Sequence, residues 1–211
     1  MPFSRLYAIA DADVCAAAGL EVDAVARAFA DAGVSHVQLR AKSADGRTFL
    51  ALADRVTAAL RGTGAALIVN DRVDVAAAVG AGVHLGQHDL PAGEARRLLG
   101  PAALIGRSTH SPGELASALA EPVSYVAFGP VFVTGTKANP DPVVGLDGLA
   151  LAAVTARAAS RPLVAIGGIT LETAPAVIAA GADAVAVISA LCAAGVEPGA
   201  RARQFLRVLE T

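Results

Sequence analysis

Asp71 and Asp89 are the residues of this chain best placed by type and spacing to hold a hard cation. Each follows a short apolar run: residues 66–69 lead into Asn70-Asp71-Arg72, and residues 82–85 lead into Gly86-Gln87-His88-Asp89. If the two runs are neighbouring parallel strands, both carboxylates emerge on one edge of a sheet. Two oxygen anions there suit Mg²⁺, which takes few protein carboxylates and completes its shell with water and phosphate. A plainer reading stands beside this one: Asp71 caps the following helix, and Asp89 starts a turn before Pro91.

Cations fall in the same kind of position. Of the 17 basic residues 15 are arginine, and the two lysines, Lys42 and Lys137, both follow apolar runs. A lysine kept in so arginine-rich a chain suits a site that needs a compact point charge, such as a phosphate. Lys42 closes Arg40-Ala41-Lys42, and Lys137 closes Thr134-Gly135-Thr136-Lys137 in the longest irregular stretch, residues 129–144. Two hydroxyls, a glycine and a cation can cradle a phosphate, although such a loop can equally be a solvated connection. Gly167-Gly168 and Ser189 follow two later apolar runs and offer backbone amides to a second anion. His84 lies inside an apolar run and reads as a hydrogen-bonded core histidine. His110, beside Ser108 and Thr109, is the better acid–base candidate. No Gly-x-Ser-x-Gly elbow is present, and Cys15 and Cys192 lack metal-ligand spacing, so both read as packed thiols.

These groups need a frame, and the pattern supplies one. Apolar strand-like runs at residues 5–10, 36–39, 66–69, 82–85, 103–105, 125–128, 163–166 and 184–188 alternate with helical spacing. The helices are expected at 22–32, 49–60, 73–79, 94–99, after Ser111-Pro112-Gly113-Glu114, and at 149–158, 171–180 and 201–209. Strands apolar on both faces point to a parallel sheet buried on both sides. Eight such units predict an α/β fold, a single-domain (β/α)₈ barrel over residues 1–211. Its C-terminal strand ends would carry Asn70, both aspartates and both lysines.

Composition excludes some partners. With 55% hydrophobic residues, a net charge of −2 and no basic stripe, nucleic acid is not expected. No apolar run has the length of a membrane span and the N-terminal stretch shows no signal-peptide pattern, so a cytoplasmic protein without membrane contact is expected. The expected partners are small-molecule substrates. A homo-oligomer is compatible with the sequence, which does not specify its order.

Several stretches together resemble one family. Gln38-Leu39-Arg40-Ala41-Lys42, Asn70-Asp71-Arg72, His84-Leu85-Gly86-Gln87-His88-Asp89, Ser108-Thr109-His110, Gly129-Pro130-Val131-Phe132, Thr134-Gly135-Thr136-Lys137 and Ala165-Ile166-Gly167-Gly168-Ile169 resemble thiamine-phosphate synthase. The resemblance implies a (β/α)₈ barrel that joins a 4-aminopyrimidine methyl diphosphate to a thiazole phosphate, or its carboxylated form, using Mg²⁺ and releasing pyrophosphate. It implies that Asp71 and Asp89 hold the metal. Gln38, Arg40, Lys42, Asn70, Ser108 and Lys137 would hold the pyrimidine diphosphate, with Arg40, Lys42, Ser108 and Lys137 assisting its departure. Thr134, Thr136, Gly168, Ile188 and Ser189 would hold the thiazole phosphate. Gly106-Arg107-Ser108 before Thr109-His110 also resembles a relative, the thiazole tautomerase, in which His110 would be the acid–base group. Against that relative stand the retained carboxylates and the Thr-x-Thr-Lys loop. A third reading is a regulator that binds thiamine precursors without turning them over.

Overall fold

Eight short apolar runs pair in parallel, each with its neighbour in sequence, and the last closes on the first. The computed structural model describes residues 4–135, 141–192 and 195–210. Its strands are β1 (Leu6–Asp11), β2 (His36–Arg40), β3 (Ala66–Asn70), β4 (Gly82–Leu85), β5 (Ile105–Thr109), β6 (Tyr125–Phe128), β7 (Leu163–Ile166) and β8 (Ala184–Val187). Their order round the closed barrel is the order of the sequence. Among the described residues the helices are α1 (Ala12–Ala17), α2 (Val22–Asp31), α3 (Gly46–Leu60), α4 (Val73–Val79), α5 (Ala92–Leu99), α6 (Pro112–Leu119), α7 (Gly145–Ala158), α8 (Ala174–Ala179) and α9 (Pro198–Leu209). This is the expected (β/α)₈ barrel. No helix among the described residues is long and apolar enough to cross a membrane.

Two cores hold it together, because alternate residues of each strand point to opposite faces. Outward residues such as Leu6, Leu39, Val69 and Leu85 pack with the helices into one continuous layer. Inward residues, including Tyr7, Ile9, Ile68, Tyr125, Val164 and Ala186, fill the barrel as a separate cluster. The helices bury faces at helical spacing: α2 turns Val22, Val25, Ala26 and Phe29 inward. Side-chain caps start several of them. Asp45 accepts from the Thr48 amide, and Ser111 accepts from Glu114 with Pro112 in the first turn, as the Ser-Pro-Gly-Glu spacing predicts.

The structure corrects several boundaries. β5 runs Ile105–Thr109, not residues 103–105, so Ser108 lies within a strand rather than after it. The apolar signal stops at Gly106, yet the strand continues. Ser108 faces the barrel interior, while the Thr109 hydroxyl donates to the Ala127 carbonyl at 2.8 Å. Helix α1, behind an Asp11 cap, is too short for a periodic signal and was not expected. Helix α7 begins at Gly145 rather than residue 149, its first turn hidden by Gly145 and Gly148. α8 begins at Ala174 rather than 171, because residues 171–173 form a turn closed by the Ala174 amide on the Thr170 carbonyl at 3.0 Å. α5 and α9 begin at Ala92 and Pro198, earlier than residues 94 and 201. The first turn of α9 is held by the Glu197 carboxylate, which accepts from the Gly199 and Ala200 amides.

Candidate active site

The C-terminal strand ends surround a cavity of about 1070 Å³. Gln38, Arg40, Lys42, Asn70, Asp71, Asp89, Ser108, His110, Thr134, Gly168, Ile188 and Ser189 all line it. The register explains the gathering. Tyr7 pairs with His36, Ile9 with Gln38 and Asp11 with Arg40, so inward residues of neighbouring strands stack in levels towards the mouth. Asn70 likewise lies beside His84, His84 beside Gly106, and Gly106 beside Tyr125. Thr136 and Lys137 fall outside the described residues.

At one side of the mouth, acids and bases interlock. Asp71 sits directly after β3 in the left-handed conformation, φ 63°, its amide donating to the His84 carbonyl at 2.8 Å. A non-glycine residue there is strained, although aspartate bears it better than most residues. The side chain does not cap α4, whose N-cap is Arg72 with no side-chain cap bond, so the capping reading is corrected. Instead Asp71 takes the Lys42 ammonium at 2.5 Å and faces the Asp89 carboxyl. Asp89 ends the turn that begins at Gly86, accepting from the Gly86 amide at 2.7 Å, where the plainer reading had it start a turn before Pro91. Burial raises the Asp89 carboxyl above the ordinary carboxylate range, and the neighbouring Asp71 raises it further; the Gly86 amide and Lys42 offset part of this. Two carboxylates pressed together in this way repel unless they share a proton or a cation. Among the described residues no cluster of three or more His, Cys, Asp or Glu side chains could hold a metal. The donor set is thus two carboxylates, which fits Mg²⁺ with water and phosphate completing its shell.

Beside this pair the Arg40 guanidinium is held by buried Asp11, which also caps α1 by accepting from the Val14 amide at 3.0 Å. Across the mouth, the Gly167-Gly168 turn has φ 104° and 65°. A Cβ at Gly168 would come within 2.4 Å of the Val133 carbonyl oxygen, so the loop after β6 requires glycine there. That loop is stitched to the turn by the Val131 amide on the Ile166 carbonyl at 2.9 Å and the Phe132 amide on the Gly167 carbonyl at 3.0 Å. The Gly168 and Ser189 amides donate to no backbone acceptor among the described residues. They are open to an anion, at the end of the barrel where phosphate is commonly held.

His110 is fixed on three sides. Its Nδ1 lies 2.7 Å from the Gly129 carbonyl oxygen, which can only accept. Its amide donates to Glu114 at 2.7 Å, and its Nε2 is 3.5 Å from Asp141. The cavity floor holds residues that sequence reasoning missed or underused: Tyr7, Tyr125 and His84. His84 is the hydrogen-bonded core histidine expected, 8% exposed, and it also faces the cavity. Burial pushes its pKa down to about 4, so it is neutral near pH 7. Nothing in an isolated apolar strand marks which tyrosine points inward. Asp11 was missed because the first strand was expected to end at residue 10.

A carboxylate–cation cluster facing a glycine-rich turn across the mouth of an α/β barrel is an arrangement suited to phosphorylated substrates. The family model for thiamine monophosphate synthase matches residues 6–191. The chain is 44% identical to the thiamine-phosphate synthase of Koribacter versatilis over 98% of this chain and 96% of that one. It is 50% identical to the thiamine-phosphate synthase of Methanoculleus marisnigri over 81% of this chain and 80% of that one. A solved structure of thiamine phosphate pyrophosphorylase from Pyrococcus furiosus superposes with a TM-score of 0.84 at 31% identity, covering 98% and 96% of the two chains. The chain belongs to the thiamine monophosphate synthase family.

Proposed function

We propose that the cavity joins a 4-aminopyrimidine methyl diphosphate to a thiazole phosphate, with Asp71 and Asp89 holding Mg²⁺ against the diphosphate. The protein is an enzyme, a transferase that forms thiamine phosphate, as its relatives' names state. The observation that carries the site assignment is the Asp71–Asp89 contact with Lys42 and Arg40 alongside. Anionic and cationic groups of this kind are reconciled by a metal-bound diphosphate.

In this reading the carbon–oxygen bond to the diphosphate breaks and the thiazole nitrogen forms the new carbon–nitrogen bond. Bound Mg²⁺ would neutralise charge on the leaving group. Arg40 and Lys42 hold the departing diphosphate, with Lys137 proposed as a third cation. Asn70 and Ser108 line the same side, and Gln38 meets the pyrimidine. Gly168, Ile188 and Ser189 hold the thiazole phosphate at the opposite corner, with Thr134 and Thr136 proposed on the loop after β6. No protein nucleophile is required, because the work is positioning and charge neutralisation. The cytoplasm is the proposed compartment, in keeping with two free, buried thiols.

The deciding assay follows pyrophosphate release from both substrates. Wild-type protein should release it only with Mg²⁺, Asp89→Ala should lose at least about tenfold, and His110→Asn should stay within about tenfold of wild type. Metal-independent isomerisation of the thiazole carboxylate phosphate, lost in His110→Asn and without pyrophosphate release, would sink this reading in favour of the tautomerase.

A further inference from the structure

Five side chains from five strands form one hydrogen-bonded chain across the cavity floor. The Gln38 amide nitrogen donates to the Tyr7 hydroxyl at 3.0 Å. The Tyr7 and Tyr125 hydroxyls are 2.7 Å apart, the Tyr125 hydroxyl lies 3.0 Å from His84 Nδ1, and His84 Nε2 lies 2.8 Å from the Ser108 hydroxyl. All five line the cavity. The chain has a dedicated place in the fold. A Cβ at Gly106 would come 2.1 Å from Tyr125 Cζ and 2.4 Å from His84 Nδ1, so the junction of the two rings occupies the space that Gly106 leaves.

A hydroxyl has one proton, and a neutral imidazole has one N–H. Two head-to-tail polarities let every hydroxyl of the chain donate once and accept once within it. Their cooperative polarisation favours either over a mixed pattern. The Gln38 amide donating to Tyr7 is compatible with one of them. In that polarity Tyr7 would donate to Tyr125, Tyr125 to His84 Nδ1, and His84 Nε2–H to Ser108, leaving the serine proton for the cavity.

We propose that Tyr7 and Tyr125 are positioning residues that set this polarity. The floor then offers a hydroxyl donor at Ser108 and a carbonyl acceptor at Gln38, matched to the ring nitrogen and exocyclic amine of an aminopyrimidine. The opposite polarity would suit a ring with a carbonyl and an N–H instead. A site that hydrogen-bonds its ligand in one polarity discriminates strongly, since the mismatched ligand leaves buried polar groups unpaired. The ligand class rests on the function proposed above; the polarity does not.

Two measurements test this separately. Nitrogen-15 NMR of histidine-labelled, substrate-free protein, with His84 assigned by its loss in His84→Gln, should show a single tautomer protonated on Nε2. Tyr125→Phe should show both tautomers. A wild-type proton on Nδ1, or an unchanged tautomer in Tyr125→Phe, overturns the proposal whether or not the enzyme turns over. The second measurement titrates a 4-aminopyrimidine methyl monophosphate and its 4-oxo analogue, neither of which carries the diphosphate leaving group, into the protein with Mg²⁺. Wild type should prefer the amino compound by at least about a hundredfold. Tyr125→Phe and Tyr7→Phe should each reduce that preference to below about tenfold. Equal weakening of both compounds, as a merely structural tyrosine would give, overturns it. Pyrophosphate release by the wild type checks the underlying function independently.

Discussion

At the scale of the residue, the site consists of pairs in which one side chain prepares another. Asp71 accepts a left-handed backbone and a neighbouring carboxylate, and the cation proposed between the two acids would offset their repulsion. Asp71→Asn, which tolerates the left-handed backbone and removes the charge, should therefore lower coupling activity at least about tenfold while raising stability or leaving it unchanged when Mg²⁺ is absent. Coupling rates and urea midpoints measured with and without EDTA check both halves. Asp11 acts differently, pinning Arg40 before any substrate arrives. Ordering a free arginine on binding costs about 0.5–1.5 kcal/mol, so Asp11→Asn, which can keep the α1 cap, should raise the KM for the pyrimidine diphosphate about three- to tenfold. A lower KM would show that Asp11 competes with the diphosphate for Arg40 instead of orienting it.

At the scale of the element, strand ends and the turns after them place the chemistry. β7 and the loop after β6 are joined through backbone bonds at the Gly167-Gly168 turn, leaving no room for a side chain at Gly168. Gly168→Ala would force a residue with a Cβ into φ near 65° at about 1–2 kcal/mol and push the loop away from the turn. Its KM for the thiazole phosphate should rise at least about tenfold, with a smaller change for the pyrimidine diphosphate. Equal changes in both constants would argue that the turn supports the whole mouth and not one phosphate.

At the scale of the molecule, the barrel buries two histidines in its interior. His36 and His84 are both pushed down to about 4, chiefly by burial. Unfolded histidine titrates near about 6.5, so between those values the unfolded chain binds more protons than the folded one. The stability this represents is complete above about pH 6.5 and is lost as pH falls towards 4. Asp89, raised in the fold, has the opposite sign and is best removed from the comparison by working in Asp89→Asn. In that variant, urea unfolding should give a free energy that falls by a few kcal/mol between about pH 7 and pH 4.5, an order-of-magnitude figure for two groups. A flat profile across that range would contradict the burial of neutral imidazoles.

The sequence by itself determined the alternation of eight strands with helices, and with it the barrel, because parallel strands buried on both faces must be apolar throughout. It also placed Asp71, Asp89, Lys42 and Gly168 at strand ends, since polar residues and glycines interrupt the apolar runs there. Uniform apolarity, however, hides which side chains point inward: Tyr7 and Leu6 look alike in sequence but lie in different cores. β5 shows the converse, a strand whose inward residues are a glycine and a serine and whose apolar signal stops early. Only the closed barrel decided that Tyr7 and Tyr125, 118 positions apart, would share a hydrogen bond. Only the strand register brought Asp89 against Asp71 and Asp11 against Arg40. Local pattern reports what a segment buries; the register and closure of the sheet decide which buried groups meet.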